Sequence, residues 1–209
     1  MLHHFLRAKP RQPLYVATAS AQTAGAGATL TINKPTGTID GDVMIAWMDV
    51  ANNSARTWTG DAGWTELVDS VGGKGARLAY KIASGEGASY TFTCSLATTT
   101  LAGAIVTWRA SAVDAVGIGV GGTNPVAADS ISAALGNSVL MAFYGVSATG
   151  ATVTVPPAGM TPLFTYSGAT GPSIFIYSQL VNAGATGTRS ATFSSGTGSC
   201  GVMATIKPS

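Results

Sequence analysis

The chain has 209 residues, of which 46% are hydrophobic and only 10% charged, with a formal net charge of +2 and 27 glycines. That length suits one large all-β domain or two small ones, and it can bury a core without disulfide or metal staples. Charge this sparse and this balanced excludes a global electrostatic grip on nucleic acid, and no run approaches the roughly 18–20 apolar residues of a membrane span. Average soluble proteins carry about 25% charged residues. So sparse a surface fits either partial cover by partner subunits or a robust extracellular sandwich.

The chain opens with an extended arm, residues 1–23. Arg7, Lys9 and Arg11 lie in it, and no Asp or Glu precedes Asp40. Leu2, Phe5, Leu6, Leu14 and Tyr15 add apolar anchors. Such an arm either docks on a partner or is solvated. Lys9, Pro10, Arg11 and Pro13 break its apolar stretch, which argues against a signal peptide. His3 and His4 are the only histidines, and nothing beside them has metal-ligand spacing.

No 12-residue window of the chain sustains helical periodicity. Short Val/Ile/Thr/aromatic runs between Gly, Ser and Asn turns predict strands instead. In chain order they are 14–20, 27–33, 42–50, 64–69, 76–83, 89–95, 101–109, 113–120, 126–133, 138–146, 151–155, 160–166, 173–181, 188–194 and 200–207. In 89–95, Tyr90, Phe92 and Cys94 share one face and Ser89, Thr91 and Thr93 the other. Trp64 and Trp108 read as core or edge plugs. Trp58 follows Asn52, Asn53 and Ser54, an exposed-loop sequence, so Asn52, Asn53, Trp58 and Tyr166 are the candidate contact residues. Cys94 and Cys200 fall in strands. Two buried thiols are expected for a chain folded in the cytoplasm, with a disulfide as the alternative.

The strongest internal signal is a repeat. Gly41-Asp42 before Val-Met-Ile-Ala-Trp matches Gly136-Asn137 before Ser-Val-Leu-Met-Ala-Phe. Gly63-Trp64-Thr65-Glu66-Leu67 matches Gly159-Met160-Thr161-Pro162-Leu163, Tyr90-Thr91-Phe92 matches Ala191-Thr192-Phe193, and 104–109 matches 202–207. The predicted fold is an all-β antiparallel sandwich, jelly-roll-like, built of two related halves at about 24–112 and 120–209. The junction 110–125 is short and still patterned, through Val116, Ile118 and Val120, which favours one sandwich over two in tandem.

An enzymatic inventory is missing. There is no Gly-x-Ser-x-Gly elbow, no body histidine to serve a nucleophile and no phosphate-binding Gly-rich loop. Asp40, Asp42, Asp61, Glu66 and Asp69 cluster in sequence but read as turn and solvated-strand residues, without calcium-loop spacing. The expectation is no catalytic residues, no cofactor and no metal.

Thr38-Ile39-Asp40-Gly41-Asp42-Val43-Met44-Ile45-Ala46, then Gly63-Trp64-Thr65, Leu78 to Ala83, Ser89 to Thr93 and the closing runs 102–109 and 200–208 resemble a β-sandwich module of bacteriophage structural proteins. The resemblance spans about residues 27–207 and implies a tail-fibre, tail-tip or head-surface component without catalytic residues. The expectation that follows is a virion structural protein assembled in the host cytoplasm. It would dock on capsid or tail subunits through Leu2, Phe5, Leu6, Arg7, Lys9 and Arg11, and self-associate, with a trimer the expected state. The alternative is a carbohydrate- or receptor-binding module that contacts a host-surface glycan through Asn52, Asn53, Trp58 and Tyr166. A third reading, a secreted bacterial adhesive protein, needs a secretion route that the sequence does not show.

Overall fold

The computed structural model describes residues 11–23, 25–51, 56–60, 62–95, 100–196 and 198–209. The first half runs β1 (Leu14–Gln22), β2 (Thr29–Asn33), β3 (Val43–Val50), β4 (Trp58–Thr59), β5 (Thr65–Val68), β6 (Arg77–Ile82), β7 (Ser89–Cys94) and β8 (Leu101–Arg109). The second runs β9 (Ala112–Val116), β10 (Val120–Gly122), β11 (Val126–Ala128), β12 (Ser132–Ala133), β13 (Ser138–Val146), β14 (Val153–Val155), β15 (Thr161–Tyr166), β16 (Ser173–Val181), β17 (Gly184–Ala185), β18 (Arg189–Phe193) and β19 (Ser199–Lys207). Among the described residues the one helical element is a 3-10 turn, Val71–Gly73.

Each half is a jelly roll. In the first, β1-β8-β3-β6-β5 form a large sheet and β2-β7-β4 a small one. In the second, β19-β13-β16-β15 form the large sheet with β9 and β10 both paired to β19, and β11-β18-β14 form the small one. Strand one beside eight, eight beside three and three beside six, with two beside seven and seven beside four, is the wrapping of two Greek keys. Every pairing is antiparallel.

The repeat unit therefore starts earlier than its sequence blocks suggest. Residues 14–22, which cover the predicted strand 14–20 within the predicted arm, form the edge strand β1, with Leu14 opposite Arg109. Ninety-eight residues on, Ala112 lies opposite Lys207. The junction is thus the first strand of the second half, interrupted after Val116 and resumed at Val120. The predicted single strand 126–133 is likewise two short ones, β11 and β12.

Three cores stack through the molecule. Met44, Ala46, Met48 and Ile105 face the small sheet of the first half, where they meet Leu30, Ile32, Tyr90 and Phe92. Leu140, Ala142, Tyr144 and Met203 do the same in the second half against Val126, Ala191 and Phe193. The opposite faces of the two large sheets pack on each other: Val43, Ile45, Trp47, Val106, Val139, Met141, Phe143, Ile176, Val202 and Ile206 form one shared core. So each half closes its own sandwich, and the two sandwiches join as four layers rather than one pair of sheets. Trp47 and its repeat equivalent Phe143 meet across the middle at 6.0 Å between ring centroids, and the Trp47 indole donates to the Tyr144 carbonyl at 3.3 Å.

Among the described residues, one ion pair is buried at this junction. Lys74 Nζ lies 3.1 Å from Asp49 Oδ2, with both side chains almost wholly shielded. Desolvation pushes the Asp49 carboxyl above its ordinary range, against the attraction of Lys74.

Because the shared core is continuous, the halves are expected to unfold together. Trp47→Ala should lower the unfolding free energy by about 3–5 kcal/mol in denaturant titration, and calorimetry of the native chain should show one transition. Two resolved transitions would mean that the shared core does not couple the halves.

Candidate functional site at the two ends of the molecule

Strand registers define two ends. Val43 pairs with Ile82 and Trp108, and Val139 pairs with Leu180 and Ile206. The ends of β8 and β19 are tied, since the Ser111 amide donates to the Lys207 carbonyl and the Ser111 hydroxyl to the Pro208 carbonyl. At that same end Arg11 and Ser209 exchange backbone hydrogen bonds at 2.7 and 3.0 Å, so the segment before residue 11 joins the body there.

Among the described residues, five aliphatic side chains stand exposed at this end: Leu14, Ile39, Ile82, Leu135 and Leu180, each 40–59% accessible. Four of them are repeat equivalents. Ile39 and Leu135 precede the central strands β3 and β13, and Ile82 and Leu180 end or nearly end the strands beside them. Single exposed aliphatics need no explanation, but the same positions left apolar in both halves do. Ion pairs hold the turns among them. The Arg109 guanidinium grips both carboxylate oxygens of buried Asp42 at 3.1 and 3.3 Å, Lys81 pairs with Glu86 at 2.9 Å and Lys207 with Asp114 at 3.2 Å.

The opposite end carries clefts, and two of them are the same cleft built twice. In the first half the Thr57 amide donates to Ser95 Oγ at 3.2 Å and Ser70 Oγ donates to the Arg56 carbonyl at 2.9 Å. In the second half the Thr152 amide donates to Ser194 Oγ at 3.0 Å and Ser167 Oγ donates to the Ala151 carbonyl at 2.7 Å. The first cleft, about 180 Å³, is lined by Arg56, Thr57, Ser70 and Ser95. The second, about 270 Å³, is lined by Ala151, Thr152, Val153, Thr165, Ser167 and Phe175. In the second cleft, hydroxyls beside the Phe175 ring suit hydrogen bonding to a polar ligand with an apolar face. A third hollow of about 440 Å³ has mostly backbone walls, from Gly72, Gly73, Gly121, Gly122, Gly196 and Gly198.

Of the sequence-predicted docking residues, only Arg11 falls among those described; Leu2, Phe5, Leu6, Arg7 and Lys9 lie outside them, as do Asn52 and Asn53. Trp58 is a correction. It is not an exposed contact but a 3% accessible member of the first small core, and its indole donates to the Gly75 carbonyl at 2.7 Å. The polar residues before it suggested a loop, whereas β4 pairs Trp58 with Cys94. Tyr166 ends β15 half-buried against the shared core, and desolvation raises its phenol pKa. Its neighbours Thr165 and Ser167, rather than Tyr166, line the cleft.

The clustered carboxylates are used separately. Asp40 accepts from the Gly85 amide, Asp69 from the Ser70 amide, and Glu66 pairs with Arg77 at 3.4 Å. Asp61 lies outside the described residues. Cys94 and Cys200 are not joined in a disulfide and are buried in different cores. Sequence reading missed the exposed aliphatic set, although Ile39 and Leu135 lie at the same offset of 96 as Gly63 and Gly159.

No protein-family model, no curated protein and no solved structure matches the chain.

If the serine stitches hold the cleft loops, Ser70→Ala and Ser167→Ala should each cost about 1 kcal/mol. Amide exchange should quicken around Arg56 and Ala151 respectively. Unchanged exchange would show that the hydroxyls do not shape the clefts.

Proposed function

We propose that the protein is a non-enzymatic structural component of a bacteriophage virion, docked at its apolar end and presenting its cleft end outward. The observation that carries this reading is the set of aliphatics left exposed at equivalent positions in both halves, at the end where residues 1–10 join the body. Those residues supply the basic and apolar anchors Leu2, Phe5, Leu6, Arg7 and Lys9. Many copies on a particle would multiply weak single contacts. Two further features support it. Jelly rolls recur in viral capsid and lectin domains, although the fold alone does not assign function. The buried charged groups also serve the fold itself: Asp42 anchors Arg109, Asp49 pairs with Lys74, and Arg77 donates to the Trp58 carbonyl.

A second reading, a carbohydrate- or receptor-binding module, is favoured by the duplicated cleft. The two readings meet in a particle protein whose outward end touches the host.

Particles released from cells that encode this chain should carry it through density-gradient purification, detected by mass spectrometry of the particle band. A chain that stays entirely in the soluble fraction would rule the virion reading out. Removing residues 1–10 should abolish particle attachment while leaving the fold intact by circular dichroism. Light scattering on both forms should show a self-associated species, a trimer by expectation, that survives the truncation.

A further inference from the structure

We propose that Lys74 and Asp49 condense into an isopeptide bond, a covalent cross-link buried between the two halves. The fold itself brings the two side chains together, independently of the functional reading. Asp49 is the penultimate residue of β3 and shares the face of Val43, Ile45 and Trp47, which is the shared core. Directly opposite, the second half presents Gly145, the repeat equivalent of Asp49 itself. A Cβ there would collide with the Asp49 carboxylate and lie 3.3 Å from Cys200 Sγ. The facing sheet is thus cut back to admit one carboxyl group.

Lys74 is delivered by an unusual turn. Ser70, Gly72 and Gly73 all adopt left-handed backbone, with φ of 51°, 59° and 79°. Gly72 packs so closely on Gly121 that no side chain fits there. The turn directs the amine inward to 3.1 Å from Asp49 Oδ2, with the lysine 1% accessible. A lysine that only balanced charge would be less costly at the rim, because desolvating an ion pair offsets most of its attraction.

The chemistry balances without a co-reactant. The proposed step begins with transfer of one proton from the ammonium to the carboxylate, which leaves a neutral acid beside a nucleophilic amine. The Lys74 nitrogen attacks Asp49 Cγ. Oδ1, which already accepts the Val50 amide hydrogen at 2.8 Å, takes the developing negative charge. The acid's hydroxyl and one amine hydrogen leave as water, and the remaining hydrogen becomes the amide N–H. Neighbouring Cys200 stays a neutral thiol, its pKa pushed up to about 12 by burial. Fixed placement supplies the drive: well-oriented neighbours react as though at about 10⁵–10⁸ M.

The test is the mass of the purified full chain. The native protein should be one water lighter than its sequence requires, and a digest should yield a branched peptide joining Asp49 to Lys74. Asp49→Asn should lose one ammonia instead, and Lys74→Arg, which keeps the charge but cannot condense, should have its full mass. If either variant fails to fold, the native mass still decides. A native chain at full sequence mass, with Asp49 and Lys74 recovered on separate peptides, overturns the proposal.

Discussion

Everything in this molecule follows from two large sheets lying face to face. Each already covers its outer face with a small sheet, so the central strands β3 and β13 are buried on both sides along their whole length. Backbone polar groups there find partners only in the neighbouring strands, which is why both strands are flanked antiparallel on each side. Side chains there must be apolar or already paired. The one carboxylate in β3 accordingly comes with its lysine. Hydroxyls line the outer face of the small sheet at Thr31 and Thr91, while the clefts and the exposed aliphatic set lie at the two ends.

Much of the fold was legible because the repeat had kept its punctuation. Gly63 and Gly159 both take positive φ, at 87° and 74°, where a residue with a Cβ would be strained. Gly41 and Asn137 do so at 88° and 61°, each ahead of a central strand. Alternation was readable in β7, whose outer face meets solvent, but it is erased in β3 and β13, where both faces are apolar. Reading those strands as ordinary members of one two-layer sandwich left no place for the shared core. The edge strands were legible as the runs 14–20 and 113–120, but their equivalence was not. β1 is rich in small residues and β9–β10 is broken at Gly117–Gly119, so the two share no motif, and only the register against Arg109 and Lys207 reveals them as equivalent.

The candidate site was less legible, because it is made of distances the sequence does not record. Asp49 and Lys74 stand 25 positions apart and meet only through a left-handed turn. Trp58 looked exposed because its predecessors are polar, yet a two-residue strand is enough to turn its indole inward. The exposed aliphatics looked like ordinary strand residues. Their meaning comes from sitting at one end, in both halves, beside the point where residues 1–10 join.

Trp47 meets Phe143, its own repeat equivalent, inside the shared core. Contact between a residue and its own repeat equivalent is what an isologous two-fold interface produces on its axis. A single half, standing alone, would expose Val43, Ile45, Trp47 and Val106 to water and would need an identical copy to cover them. The present chain thus holds, within one polypeptide, the contact that two identical subunits would make about a two-fold axis. The two faces of that contact are not identical, for one carries Asp49 where the other has Gly145.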